Sequence, residues 1–555
     1  QIIISKKRHD RGLDGDSSSP LYNENLPRFS WHNGMDCATI EAYTGKGGRC
    51  PVCGHMFTMG IQSLRTLLCT VKKRKYIYGI HNPLTYDFLH HNLHHLHVLL
   101  FHSADQQDFT RGAMLRALLV FMLPILLTQL LQQFYSIIDT ALVGQTLGAQ
   151  ALAAVGTASL ILSVIVNFFI GFSAGLSVLV SHLYGEKEYT RLNALVQTIT
   201  VTVLVFAVTL TAAGLFLTPQ MLTALATPKE LIPQTALYLR IALCGMLAQL
   251  VYNTATAILR ALGNTTSALH YLAAAVLLNI LLDVLLLIVI PCGIAGAAAA
   301  TVAAQYAAAL LTVRKFRHLH GAWHFTLSRP LFQPRLLVPI LGASIPAGLQ
   351  AVFMSISSLV IQGYINSFGY AAMAGMTVYA RIEGFLYYPL FAFGIALTSF
   401  IGQNVGAGMT ARVREGIRMS LRFVASGSVG MALLAGLLAP ALLTLFTEDP
   451  AVLEHALAAV YCTFPFYGVY GINQVYIGAI RGLGNTLYPM MTALAAYCVF
   501  RVAWCYAWDI VGIHSMHVVY SAYSVSFFVM AVLLHFGCRR ALQKPHISLS
   551  HATHR

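Results

Sequence analysis

The 555-residue chain is 57% hydrophobic and 10% charged, with a mean hydropathy of +0.66. Soluble domains are about 25% charged, so an ordinary soluble protein is excluded and a multi-pass membrane protein is the default. The net charge of +15 would suit nucleic acid, but the basic residues gather in the first 116 positions, in short loops and at the C-terminus. That is how topology signals are distributed, and no nucleic-acid partner is expected.

Residues 1–107 differ in style from the rest and read as an atypical, disordered extension, with Gln1 as the start of an incomplete or over-extended frame. Cys50-Pro-Val-Cys53-Gly-His55 has the spacing of half a zinc site, but a structural zinc needs four ligands and no second pair follows. His90, His91, His94, His95 and His97 contain i,i+4 pairs that could chelate, without an acidic or cysteine partner. An incidental polar tract is the preferred reading.

From Leu115 onward, long apolar runs follow one another, each near the ~20 residues that cross a bilayer. Twelve are expected, at 116–142, 153–182, 193–217, 232–259, 266–290, 294–313, 336–366, 374–404, 417–445, 451–480, 487–510 and 516–537. Alternate connections carry Lys187 and Arg191, Arg260, the group from Arg314 to Arg335, Arg412 to Arg418, Arg481, and Arg539 to Lys544. The intervening loops carry only Lys229, so positive-inside reasoning puts both termini in the cytoplasm. Of the ten cysteines, Cys244, Cys292, Cys462, Cys498, Cys505 and Cys538 lie in or beside apolar runs, and no disulfide framework is legible.

The chain repeats itself. Leu259-Arg260-Ala-Leu-Gly-Asn-Thr265 recurs as Ile480-Arg481-Gly-Leu-Gly-Asn-Thr486, and the same offset of 221 aligns Gly148 with Gly369 and Gly185 with Gly406. Six spans separate the copies, an even number, so both halves share one orientation. The expected fold is an all-α membrane protein of two six-helix lobes related by a pseudo-two-fold along the membrane normal. Residues 108–313 form the N-lobe, 314–335 the inter-lobe linker, 336–540 the C-lobe and 541–555 a tail.

Asp139 and Asp283 lie inside apolar spans, where an acid costs roughly 2.5–3.5 kcal/mol. The second copy has Ile361 or a neighbour and Trp504 at the matching places, so the acids are not a necessity of the fold. Asn279 is i,i+4 from Asp283 and shares its face. At 1.5 Å per residue Asp139 lies ~35 Å past Arg116 and Asp283 ~27 Å past Thr265, a depth that Thr301 reaches from the outer end of the sixth span. Carboxylates, an amide oxygen and a hydroxyl suit a hard cation, and two close acids in an oily site suit a proton. The coupling ion is therefore H+ or Na+, with no organic cofactor and no catalytic residues.

Asp108-Phe-Thr-Arg-Gly112, Leu123-Pro124 with Gln132-Gln133 and Asp139, Arg381-Ile-Glu383-Gly-Phe385, Gly402-Gln403-Asn404-Val-Gly406-Ala407 and the paired Arg-x-Leu-Gly-Asn-Thr together resemble multidrug and toxic compound extrusion (MATE) transporters. The resemblance runs from about Asp108 to Arg540 and is nearest to the DNA-damage-inducible (DinF-like) branch. It implies a two-lobed antiporter of the inner membrane that expels organic compounds by alternating access, with an N-lobe cation site. Its motif matches Asp139, Asn279, Asp283 and Thr301, and adds Gln132 and Tyr238. The NorM-like branch carries acids in the seventh and tenth spans, where this chain has Met354 and Tyr470.

Phe134, Tyr135, Asn253, Met354 and Tyr388 are candidates to line a substrate chamber, because aromatic faces attract organic cations. Glu383 is either a second functional group or a buried structural one, and at i,i+2 it cannot face Arg381. Arg501 is expected to snorkel or pair with a carbonyl, and Pro124, Pro346, Pro389 and Pro465 to kink their spans. Small organic substrates, the lipid bilayer and a monomeric state complete the expectation. The alternative is a lipid-linked glycan flippase, which would need a larger cationic cavity. An intramembrane aspartyl protease is rejected, since neither acid has a Tyr-Asp or Gly-x-Gly-Asp context.

Overall fold

The computed structural model describes residues 107–543 except 226, 318–322, 324 and 327–329. The Cys50, Cys53 and His55 group, the histidines at 90–97 and the tail beyond 543 lie outside the described residues. Within them every regular element is helical.

The first helix, α1 (Met114–Glu186), has 73 residues, about 110 Å at 1.5 Å per residue against a hydrocarbon core of about 30 Å. It is two spans joined at Gly148, whose φ of 82° and ψ of −177° break the helix. Only glycine adopts that backbone without strain. α2 (Tyr189–Ala224) follows, then α3 (Ile232–Cys244) and α4 (Met246–Ala261), one span bent by 42°. α5 (Thr266–Asp283) runs into a wide π-type turn, Val284–Val289, and α6 (Gly293–Arg317) closes the first lobe.

The second lobe repeats the plan. It comprises α7 (Pro334–Asn366), α8 (Tyr370–Gly406), α9 (Thr410–Leu443), and α10 (Pro450–Thr463) joined to α11 (Tyr467–Gly482) through a 3-10 turn, Phe464–Phe466. α12 (Leu487–Ala493), a π-type stretch Leu494–Phe500 and α13 (Arg501–Ile510) make one span, and α14 (Met516–Gln543) the last. Counted so, the twelve expected spans are present. Pro465 lies in the 3-10 turn that interrupts its span, and Pro124, Pro346 and Pro389 lie inside α1, α7 and α8. The repeat is visible in the backbone, for Gly148 and Gly369 have φ of 82° and 89°, and Gly263 and Gly484 have 91° and 92°.

Each lobe has its own apolar core, but the opening of α1 crosses between them. Phe109, Leu118, Phe121 and Ile125 pack with the core of the second lobe rather than the first. The lobes meet most tightly at the end of the bundle that carries the basic loops. There Phe109, fully buried, packs edge-on to Phe121 and Phe400 with ring centres 4.8 and 5.7 Å away. Gln403 of α8 donates to the Ala261 carbonyl at 2.8 Å and accepts from the Phe109 N–H at 3.2 Å. Arg412 of α9 donates to the carbonyls of Phe109, Arg111 and Gly112 at 2.9–3.1 Å. Segment 107–112 thus straps the two lobes together at this end.

Close approach of backbones makes this contact possible. A Cβ on Gly406 of α8 would stand 2.0 Å from the His182 carbonyl of α1. Gly406→Ala must therefore separate the lobes at the basic end, and overpacking of this kind costs about 1–3 kcal/mol. A lower midpoint of thermal unfolding for the purified protein is the expected outcome; an unchanged midpoint would mean the lobes do not close on this contact.

Candidate functional site

Four elements of the first lobe converge on the membrane acids. Asp283 ends α5, is fully buried, and is followed at once by the π-type turn; such turns recur at functional sites. The Asn279 amide, oriented so that donors meet acceptors, gives its N–H to Asp283 Oδ2 at 2.9 Å and takes the Thr301 N–H of α6 at 3.2 Å. On α1, the hydroxyl of Tyr135 lies 3.2 Å from Thr301 Oγ1, and Asp139, one turn further, interacts electrostatically with Asp283. Tyr238 of α3 is buried within electrostatic reach of both acids.

One oxygen of each acid, Asp139 Oδ1 and Asp283 Oδ1, is buried without a hydrogen-bond partner. An ionised oxygen left so is costly, because no donor of the chain stabilises its charge. The arrangement can therefore take up positive charge from outside the chain. Through these two bonds Asn279 positions Asp283 and braces α5 against α6, and its amide oxygen keeps a second lone pair. Gln132, two turns before Asp139, is half-buried.

The substrate-chamber candidates separate. Met354 and Tyr388 line a cavity of about 470 Å³ between the lobes, whereas Phe134, Tyr135 and Asn253 do not. Phe134 is 64% exposed, Tyr135 belongs with the acids, and Asn253 is buried. Tyr470, which marks the place of a NorM-like acid, also lines the cavity.

Charge in the second lobe sits at other positions. Glu383 of α8 accepts a short hydrogen bond from the Tyr467 hydroxyl, is bonded by Tyr379, and lies in the field of Arg501. Arg501 does not snorkel. It is 6% exposed, donates to Ser526 Oγ at 2.8 and 3.0 Å, and has the rings of Tyr497 and Tyr523 4.6 and 4.5 Å from its guanidinium carbon. It follows directly on the second π-type stretch. Both Glu383 and Arg501 line the cavity. Their partners are far away in sequence, so the only local signal was that Arg381 could not be the partner.

A sequence model described as MatE matches residues 124–285 and again 346–507, one copy per lobe. The chain belongs to the MatE family. It is 31% identical over 395 residues to the probable multidrug resistance protein YpnP of Bacillus subtilis, covering 71% of this chain and 88% of that protein. It is 27% identical over 405 residues to the FAD transporter of Shewanella oneidensis, covering 71% and 87%. Among solved structures, MATE in complex with MaL6 shares the fold with a TM-score of 0.72 at 20% identity, over 81% of this chain and 99% of that one. An outward-facing multidrug resistance MATE family transporter of the MOP superfamily also gives 0.72, at 21% identity over 79% and 98%.

Arg501→Leu removes the countercharge of Glu383 together with the ring contacts, an expected loss of about 3 kcal/mol or more. Glu383→Gln, which keeps the size and the tyrosine partners, should cost clearly less in the same thermal unfolding measurement. Equal losses would show that the two groups do not depend on each other.

Proposed function

We propose that the chain is a cation-coupled antiporter that exports amphipathic organic compounds, with the cation, H+ or Na+, taken up by Asp139 and Asp283. The observation that carries this reading is the pair of orphaned carboxylate oxygens buried in one lobe. A proton on either acid removes one of the two bare charges without needing a shell of ligands, and is the first choice. A metal cation would need a fuller shell of oxygens. Gln132, Tyr238 and Thr301 would surround the ion.

The coupling follows from charge. With the acids ionised and unfilled, α1, α5 and α6 are held around uncompensated negative charge. Filling them removes that repulsion and lets the helices pack differently, so the ion and the cargo prefer different arrangements of the lobes. The tight contact at the basic end is one such arrangement, and opening there requires release of the Arg412 strap. The positions of the basic loops favour the cytoplasm at that end and for both termini. The aromatic cavity suits flat amphipathic cargo, and relatives named for multidrug resistance agree with export.

Efflux from proteoliposomes with pH and sodium gradients imposed separately tests the reading. One gradient should drive export, and Asp139→Asn or Asp283→Asn should each reduce the driven rate about tenfold or more, as a coupling of about 1–3 kcal/mol allows. Unchanged driven export in both variants would reject it.

A further inference from the structure

Below the aromatic cavity, toward the basic end, lies a smaller one of about 80 Å³ that shares the walls Ile170, Ala351, Met354 and Phe391 with it. A single water needs roughly 10–15 Å³, so there is room for a small polyatomic ion. Its lining comes in equivalents from the two lobes, each pair separated by the repeat offset: Ile170 with Phe391, Ala174 with Ile395, Ser177 with Thr398, and Arg260 with Arg481. The cavity therefore lies on the pseudo-two-fold axis.

The two arginines are the unexpected part. Their charge reads in sequence as a loop signal, yet α4 and α11 extend through Arg260 and Arg481, and both side chains reach the inter-lobe cavity. Among the described residues the ion pairs are Asp108 with Arg111 and Asp509 with His514, so neither guanidinium has a carboxylate. Arg481 donates one bond, to Gln350 Oε1 at 2.8 Å, while its Nε is buried with no partner. Among the described residues, the buried hydroxyl of Tyr252 is the group that acts electrostatically on Arg260. Each arginine sits in the last turn of its helix, where the dipole favours positive charge. That gain is small beside the loss of water around two guanidiniums, and arginine cannot shed its proton to escape it.

We propose that Arg260 and Arg481 form an oxyanion-binding site on the axis between the lobes, taking a carboxylate or phosphate group. The forked guanidinium matches two oxygens of such a group, and the free Nε of Arg481 is an unused donor of that kind. Ser399 also lines the site. Because the arginines come from different lobes, an oxyanion between them joins the lobes where they touch. The group arrives either as a free ion or as the head of an aromatic molecule seated in the cavity above. The site does not depend on Asp139 and Asp283.

The test uses the full chain in lipid nanodiscs and follows thermal unfolding with inorganic phosphate, acetate, phenyl phosphate and benzoate, each against chloride at equal ionic strength. A saturable stabilisation by an oxyanion is expected, lost in Arg260→Gln and in Arg481→Gln. Arg481→Lys, which keeps the charge without the fork, should bind roughly tenfold more weakly and serves where a glutamine variant does not fold. Equal responses to inorganic and phenyl phosphate support the site with a free ion as its occupant; a response to the aromatic compounds alone supports it with the head group of a cargo. No stabilisation beyond chloride, or one undiminished in the arginine variants, overturns the proposal.

Discussion

A charge inside an oily helix bundle must find an opposite charge, a set of hydrogen bonds, or an ion that comes and goes. Leaving it bare costs several kcal/mol even after relaxation, a large share of the marginal stability of a folded chain. This chain meets the constraint in different ways. Glu383 and Arg501 answer it internally, with tyrosine hydroxyls on the acid and serine and aromatic rings on the base. Asp139 and Asp283 leave it open, each with a buried oxygen lacking a donor. Because like charges share the site, no rearrangement of these two side chains alone can neutralise it, and on the proposed reading a mobile cation does so.

The duplicated architecture makes the contrast informative. The lobes keep the same backbone breaks at Gly148 and Gly369, and the same turns at Gly263 and Gly484. Their buried chemistry has diverged. α5 carries Asp283 just before a π-type turn, and the equivalent span of the second lobe carries Arg501 just after one. Ile361 and its neighbour Val360, which take the place of Asp139 in the repeat, are apolar. The two halves thus share a backbone plan, while one carries two buried acids with unpartnered oxygens and the other an acid and an arginine each held by its own hydrogen bonds.

Much of the fold could be read from residue order. Apolar runs of membrane-spanning length give twelve spans, the repeated Arg-x-Leu-Gly-Asn-Thr gives two lobes, and helical rise gathers Asp139, Asp283 and Thr301 at one depth. Hydropathy does not register the bend between α3 and α4, because both sides of Gly245 are equally apolar. It also assigns Arg260 and Arg481 to loops, since charge near a span end looks the same whether the side chain faces water or the neighbouring lobe. Glu383 could not be matched with Tyr467 or Arg501, 84 and 118 residues away, without tertiary structure. The direction of the Asn279 amide was likewise hidden, for spacing gives the face of a helix and not which atom of an amide points along it.

The most direct measurement is the infrared difference spectrum of the purified protein on loading with protons or with sodium, read at the carboxyl stretches. If Asp139 and Asp283 hold one ion between them, a single carboxyl signal appears on loading and is abolished by either Asp139→Asn or Asp283→Asn. A signal that survives both substitutions would contradict a shared site and place the ion elsewhere in the protein.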